Sequence, residues 1–162
     1  MHIRAAAEAD VPEILALIRA LAEYEKLTHV VVATEDALRR TLFGGQPAAE
    51  VLLAFDGSFK GDACCGFALF FPNYSTFLAK PGLYLEDLFV KPEFRGKGVG
   101  RALLAKLAGI AQERGYGRME WSVLDWNDPA IGFYKKLGAV AMDEWTTFRV
   151  TGEALARLAS AS

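Results

Sequence analysis

The middle of this sequence contains a strand-like segment, a turn and a glycine-rich loop that open directly into a long amphipathic helix. Leu83–Val90 has the composition of a buried strand and is closed by Lys91-Pro92. After the loop Arg95–Gly100, a helix is predicted from about Val99 to Arg114, with one apolar stripe formed by Val99, Leu103, Leu107 and Ile110. A strand that passes through a short loop into a helix favours a domain in which helices cover a sheet.

Other helix-like and strand-like segments flank this unit. Helices are predicted after the caps Asp10 (with Glu13 in a capping-box variant) and Asn127, from Thr34 to a stop at Gly44-Gly45, and over Glu153–Leu158. Strands are predicted at Ile3–Ala5, Val51–Phe55, Cys64–Phe71, Met119–Val123, Val140–Met142 and Trp145–Val150, with turns at Asp56-Gly57-Ser58 and Pro72-Asn73. This order predicts a single α/β (α+β) domain over residues 1–162, built around a central mixed sheet.

Composition and charge exclude several classes of function. A hydrophobic fraction of 52% and a charged fraction of 23% are typical of a soluble globular protein. The net charge is −2 and Lys and Arg form no run, so we expect no nucleic-acid partner. The longest apolar stretch, Ala63–Phe71, is too short to cross a bilayer, so we expect no membrane partner.

The two cysteines, Cys64 and Cys65, are adjacent in the sequence. Neighbouring cysteines in a strand-like run cannot join distant segments, and without nearby His ligands they make a poor metal site. We therefore expect two small buried side chains, no metal, and a reducing, cytoplasmic location.

The loop before the long helix has the features of a phosphate site. Its glycines let backbone N–H groups approach a ligand, the helix N-terminus favours an anion, and Arg95, Lys97 and Arg101 add positive charge. It is not a Walker loop, because Gly100 is followed by Arg101-Ala102, nor a dinucleotide fingerprint, which would need glycine in place of Leu103. The glycines alone are equally compatible with a tight turn and a helix cap.

Arg95–Gly100 matches in full the motif Arg/Gln-x-x-Gly-x-Gly/Ala, and the chain thereby resembles the GNAT superfamily of N-acetyltransferases. Within that superfamily it is most similar to the diamine and thialysine acetyltransferases, through four blocks in order: Leu21–Leu27, Tyr84–Asp87, Trp126-Asn127 and Phe133–Ala139. The resemblance implies a mostly antiparallel, twisted mixed sheet flanked by helices, with two strands splayed apart at a cofactor slot.

The resemblance implies acetyl-CoA as cosubstrate and assigns its contacts. The pyrophosphate would lie on the loop formed by Arg95, Gly96, Lys97, Gly98, Val99, Gly100 and Arg101. The pantetheine arm would pair with the strand residues Leu88, Phe89 and Val90, with an oxyanion-binding N–H around Phe89. Asn127 and the helix bearing Tyr134 would flank the thiol end.

Catalytic and acceptor residues follow from the same resemblance. Glu86 would accept the amine's proton or bind the ammonium, and Tyr134 would protonate the departing thiolate. Tyr24, Glu25, Glu86 and Asp87 would bind a cationic acceptor. On the pattern alone, Glu86-Asp87 could instead occupy an exposed edge, Tyr134 a core position, and Glu25 a solvated helix end.

The acceptor itself is left open by the sequence. The segment Gly138–Phe148 is shorter than in the spermidine enzyme, and the stretches Val123–Asn127 and Gly152–Leu155 look more like the thialysine enzyme. A small diamine, a polyamine or a lysine-like amino acid is expected, acetylated by direct transfer. The alternatives are a protein N-terminus or lysine as the target, and a non-catalytic acetyl-CoA-binding regulator. The resemblance also implies a homodimer.

Overall fold

The structure is a computed structural model that describes residues 1–57 and 62–161, and it divides the chain into two compact units, Met1–Ser122 and Val123–Ser162. The predicted turn residue Ser58 lies outside the described residues. The expectation of a single domain stays a prediction.

The larger unit is built on a five-stranded mixed sheet. Its strands follow chain order: β1 (His2–Ala5), β2 (Glu50–Asp56), β3 (Ala63–Ser75), β4 (Lys80–Val90) and β5 (Met119–Trp121). The first four are antiparallel neighbours, whereas β5 pairs with β4 in parallel through Leu83, Tyr84 and Leu85. The predicted fold class, a mixed and mostly antiparallel sheet flanked by helices, is confirmed.

Helices cover both faces of this sheet. The first two, α1 (Val11–Tyr24) and α2 (Glu35–Phe43), pack on a core cluster that includes Leu53, Phe67 and Phe89. The third, α3 (Val99–Glu113), lies between β4 and β5 in the chain and buries Val99, Leu103, Leu104, Leu107 and Ala111. At its end the Arg114 guanidinium lies 6.0 Å from the Phe70 ring, which marks the face opposite to α1. We call the two faces the α1 face and the α3 face.

Local sequence signals account for most helix ends. The Thr34 hydroxyl accepts from the Ala37 N–H at 3.2 Å, as expected for an N-cap, and Gly115 follows α3 in the left-handed region. α1 ends differently, because Lys26 takes φ of 60° and the Leu27 N–H donates to the Ala22 carbonyl. This is a Schellman-type ending with lysine where glycine is usual, and it fixes the direction of the chain just after Tyr24.

The smaller unit contains two helices, α4 (Asp128–Lys136) and α5 (Gly152–Ala159). The Asn127 carboxamide oxygen accepts from the Ala130 N–H at 3.4 Å, and Gly138 after the helix has φ of 90°. The predicted cap and helix are therefore confirmed.

Three predictions about the elements are wrong, the first of them in part. Asp10 occupies the N-cap position of α1, as predicted, but its side chain makes no capping bond; its carboxylate pairs with Arg4 at 2.7 Å and accepts from the Ala7 N–H at 2.7 Å, which lowers the pKa of Asp10 to about 2. Pro72 does not end β3, which continues to Ser75; beyond Phe70 this strand pairs with β4 only, so a missing N–H is tolerated there.

The third error concerns the segment after α4. Residues 140–150 form no strand in the described structure, although they are rich in β-formers. Their large apolar side chains are exposed, Val140 at 81% and Phe148 at 90%, and no strand of the described structure pairs with them. A β-prone sequence becomes a strand only where a ladder is available.

Other expectations concern burial and ligands. Cys64 and Cys65 are buried and free, as predicted, and burial raises the pKa of the Cys64 thiol to about 11. No helix in the described residues has both the length and the apolar character needed to span a bilayer. Within the same residues, no group of three or more His, Cys, Asp or Glu side chains is arranged to hold a metal ion.

Candidate active site

A β-bulge in β4 lies at the centre of the site. Leu69 of β3 pairs with Asp87, but the next residue, Phe70, pairs with Leu85, so Glu86 is an extra residue in β4. Leu85 therefore shares the α3 face with Phe70, while Asp87 shares the α1 face with Leu69, which packs on the α1-side core. Because of the bulge, Leu85 and Asp87 lie on opposite faces of the sheet, although residues two apart on a regular strand share one face.

The same bulge brings acidic side chains together on the α1 face. Side chains alternate between the two faces of the sheet from Tyr84 to Glu86, so the exposed Glu86 lies on the α1 face. It shares that face with the half-buried Asp87. Burial, together with the smaller effects of the Glu86 and Glu25 carboxylates, raises the pKa of Asp87 to about 6. Burial also raises the pKa of Glu25, the residue that follows α1. We call Glu25, Glu86 and Asp87 the acidic cluster; it is suited to binding a cation.

The outer edge of β4 is open on the side of β5. Their pairing stops at Leu85 and Trp121, so residues 86–90 have no β5 partner in the described part of the chain. The Lys91 N–H donates to Cys65, which makes Val90–Gly66 a non-hydrogen-bonded pair and directs the backbone groups of Val90 and Leu88 away from β3. This edge can accept an extended ligand as an additional strand.

Along β4, residues whose backbone groups are directed at β3 alternate with residues whose groups are directed to the open edge. This alternation changes one expectation about the backbone. Phe89 lies in the hydrogen-bonding position opposite Phe67, so its N–H is directed at β3. The N–H groups of Leu88 and Val90 are the ones directed to the open edge, and they are the better candidates for the oxyanion-binding role that the sequence placed around Phe89.

The glycine-rich loop leads to an open helix N-terminus. Gly96 and Gly98 have φ of 73° and 82°, and a Cβ at either position would meet no atom within 4 Å. The first helical bond runs from the Ala102 N–H to the Gly98 carbonyl, so the N–H groups of Val99, Gly100 and Arg101 have no carbonyl partner within the helix. This arrangement fits the phosphate-binding expectation.

The basic residues of the loop take different positions. Arg101 is exposed in the first turn of α3, and the Lys97 Nζ lies 5.1 Å from the centre of the Phe94 ring. The Arg95 guanidinium lies 4.6 Å from the Tyr24 ring, and its Nε donates to the Val90 carbonyl at 3.0 Å. The structure thus brings the loop residue Arg95 together with a predicted acceptor residue, Tyr24.

Tyr134 and Asn127 belong to the smaller unit. Tyr134 is half-buried in α4, and its ring lies 5.5 Å from that of Phe133. Asn127 is buried, and its side chain caps the same helix. Their predicted roles at the thiol end stay predictions.

Sequence reasoning missed a second polar group farther along the α1 face. The Tyr84 hydroxyl lies 3.0 Å from the Ser122 hydroxyl, and Glu120 accepts from the Asn73 amide at 3.0 Å and pairs with Arg118 at 2.7 Å. A signal in the sequence that could have indicated this polar group is the spacing of Tyr84 and Glu86, which lie two residues apart on one strand. These residues continue the polar surface beyond the acidic cluster.

The raised pKa of Asp87 gives a prediction about stability. Because the folded protein binds this proton more tightly than the unfolded chain, folding stability attributable to Asp87 falls as the pH rises from about 4 to about 6. Relative to wild type, Asp87→Asn should gain roughly 2 kcal/mol between pH 4 and pH 7.5. Urea unfolding of both proteins at the two pH values measures this difference.

Asp10→Asn is the matched control, because the pKa of Asp10 is lowered to about 2 and its carboxylate is ionised throughout that range. Its stability difference from wild type should change by less than about 0.5 kcal/mol between pH 4 and pH 7.5, because only the unfolded chain still binds part of a proton near pH 4. An equally small change for Asp87→Asn would contradict the burial described for Asp87.

Comparison with known proteins agrees with this geometry. The profile of the Acetyltransferase (GNAT) family matches residues 14–139. A thialysine N-epsilon-acetyltransferase from Bos taurus is 44% identical, covering 97% of this chain and 96% of the relative. An L-ornithine N5-acetyltransferase from Arabidopsis thaliana is 39% identical, covering 95% and 86%.

A solved structure also superposes over nearly the whole chain. An integron cassette protein from the mobile metagenome of V. cholerae has a TM-score of 0.81 and 26% identity, covering 99% of this chain and 98% of the other. The match to the family profile includes most of α1, the bulged strand β4, the loop, α3 and α4. This chain belongs to the GNAT family and is an acetyltransferase that uses acetyl-CoA as its cosubstrate.

Proposed function

We propose that this enzyme transfers the acetyl group of acetyl-CoA directly to the side-chain amine of a small cationic acceptor, and that the preferred acceptor is a lysine-like amino acid. The observation that carries the proposal is the acidic cluster, which the bulge places on the α1 face beside an open strand edge. Carboxylates that are partly buried and close together are costly unless a cation joins them. A cationic amine is such a partner.

The coenzyme is assigned to the loop and to the open edge of β4. The unpartnered N–H groups at the start of α3, with Arg101 beside them, would hold the pyrophosphate. Gly98 fits this role because the space at its Cβ position is open. Val90 and the Leu88 carbonyl would pair with the pantetheine arm through their outward backbone groups, which leaves the Leu88 N–H for another role.

The chemistry requires a base, an oxyanion site and an acid. An aliphatic amine has a pKa of about 10, so it arrives protonated and must lose that proton before it attacks the thioester carbonyl. Glu86 would take the proton, directly or through water, and the Leu88 N–H would stabilise the oxyanion. As the carbon–sulfur bond breaks, Tyr134 would donate its proton to the thiolate.

The relatives support an acceptor that carries two charged ends. Their names specify thialysine and L-ornithine, which are amino acids with a side-chain amine. In this chain Glu25 and Asp87 would anchor one cationic group while Glu86 receives the amine that reacts. Tyr24, at the end of α1, would offer its ring to the ammonium.

The assembly and location of the enzyme form part of the same proposal. The exposed apolar residues of the smaller unit, Trp145 and Phe148 among them, would provide a homodimer interface. Light scattering at micromolar concentration should give twice the monomer mass. The two free, buried cysteines support a reducing, cytoplasmic location.

Gly98→Ala tests the place of the coenzyme. The methyl group would enter the space assigned to the phosphates, so the rise in melting temperature produced by acetyl-CoA should be lost or at least halved. Gly115→Ala is the matched control, because Gly115 also has a positive φ and open space, and both changes cost about 1–2 kcal/mol of strain. An equal acetyl-CoA shift in the two variants would refute the assignment.

Tyr134→Phe tests the acid. The change removes the hydroxyl and keeps the ring, so kcat should fall roughly ten- to ten-thousandfold while acetyl-CoA still raises the melting temperature. Tyr74→Phe, at an exposed position of β3, is the control and should keep wild-type kcat. Near-normal turnover in Tyr134→Phe would leave Tyr134 with a packing role only.

The acceptor is tested by comparing kcat/KM for thialysine, ornithine, a diamine and a neutral monoamine of matched length. The monoamine should be poorer by roughly ten- to a hundredfold, because it leaves the carboxylates of the cluster without a partner. Glu86→Gln should lower kcat by roughly a hundredfold or more. A monoamine as good as the others, or an unchanged rate in Glu86→Gln, would contradict the proposal.

A further inference from the structure

Arg95 occupies an unexpected position for a loop that binds phosphate. Its guanidinium lies 4.6 Å from the centre of the Tyr24 ring and 5.7 Å from that of Phe89, and its Nε donates to the Val90 carbonyl. Three contacts on two elements, the end of α1 and the end of β4, thus hold one side chain.

The remaining residues of the loop can supply the positive potential for a pyrophosphate. Arg101 is exposed at the start of α3, and the N–H groups of Val99 and Gly100 have no carbonyl partner within the helix. Arg95, by contrast, donates to the Val90 carbonyl, which leaves the Val90 N–H and the Leu88 carbonyl for the pantetheine arm.

Tyr24 links this arginine to the acidic cluster. It is the last residue of α1, and Glu25, whose carboxylate interacts with Asp87, follows it directly. Lys26, in the left-handed region, fixes the chain immediately beyond them. A displacement of the end of α1 would therefore move the Tyr24 ring and Glu25 together.

We propose that Arg95 is a positioning residue that joins the coenzyme loop to the end of α1, so that the loop and the amine-binding residues Tyr24 and Glu25 are held in one arrangement. The inference rests on the proposed function, because it assigns Arg95 to recognition of the amine. The guanidinium acts through Tyr24 and touches neither the amine nor the phosphates.

Kinetics of Arg95→Gln and Arg95→Lys test the proposal. The motif matched by this loop accepts either Arg or Gln, so Gln is compatible with the coenzyme loop, whereas Lys keeps the charge but loses the planar group and the Nε bond. In both variants the KM for thialysine should rise about fivefold or more, as expected for a lost cation–π contact and hydrogen bond. The KM for acetyl-CoA should change less than about twofold.

A double-mutant cycle with Tyr24 separates positioning from general packing. In a Tyr24→Phe background, which keeps the ring, Arg95→Gln should raise the KM for thialysine by the same factor as in wild type. In a Tyr24→Leu background it should have little further effect. Arg4→Gln is the control, because Arg4 also lies over a ring, that of Phe55 at 4.7 Å; its loss should lower the melting temperature and leave both KM values unchanged.

Nitrogen-15 NMR of the arginine Nε–H groups examines the contact without turnover. The Arg95 resonance should show a ring-current shift that disappears in Tyr24→Leu and persists in Tyr24→Phe. A wild-type enzyme that acetylates no amine would refute the proposed function, whereas the NMR result still decides whether the link exists.

Three results would overturn the inference: no ring-current shift, additive effects in the Tyr24→Leu background, or a rise confined to the KM for acetyl-CoA. The last result would make Arg95 a phosphate contact.

Discussion

The extra residue in β4 is the constraint on which the site depends. Without it, Leu85 and Asp87 would share one face of the sheet, and a carboxylate would enter the apolar contact with α3. With it, Leu85 stays in the core while Asp87 joins Glu86 on the α1 face. The pairing with β5 ends at the same point, so one irregularity accompanies both the acidic cluster and the open strand edge.

The end of α1 is the second fixed element. A left-handed lysine costs about 1 kcal/mol relative to glycine, and such strain persists only where surrounding contacts determine the backbone. Here the Leu27 N–H bonds back to Ala22, and the Tyr24 ring contacts Arg95. Glu25 is thereby held near Asp87, in surroundings that raise the pKa of both carboxyl groups.

Local signals in the sequence predicted much of this fold. Features that depend on contacts between distant segments were not predicted. Thr34, Asn127 and Gly115 mark helix ends through their own chemistry, so α2, α4 and α3 were predicted correctly. The bulge at Glu86 carries no glycine or other local mark, because register depends on the neighbouring strand. The same reason explains residues 140–150, whose β-propensity could not show whether a partner strand exists.

The acidic cluster faces opposite demands in the proposed reaction. Carboxylates that bind an ammonium also stabilise its protonated form, which opposes the deprotonation that the attack requires. A division of roles within the cluster resolves this conflict: the half-buried Asp87 and Glu25 would hold the charge that stays, and the exposed Glu86 would pass a proton to solvent. Because the pKa of Asp87 is about 6 without a bound cation, an arriving ammonium would favour its ionised form and displace a proton from it. An acceptor with a single amine cannot satisfy both parts of the cluster at once, which is the physical basis for a preference for two charged ends.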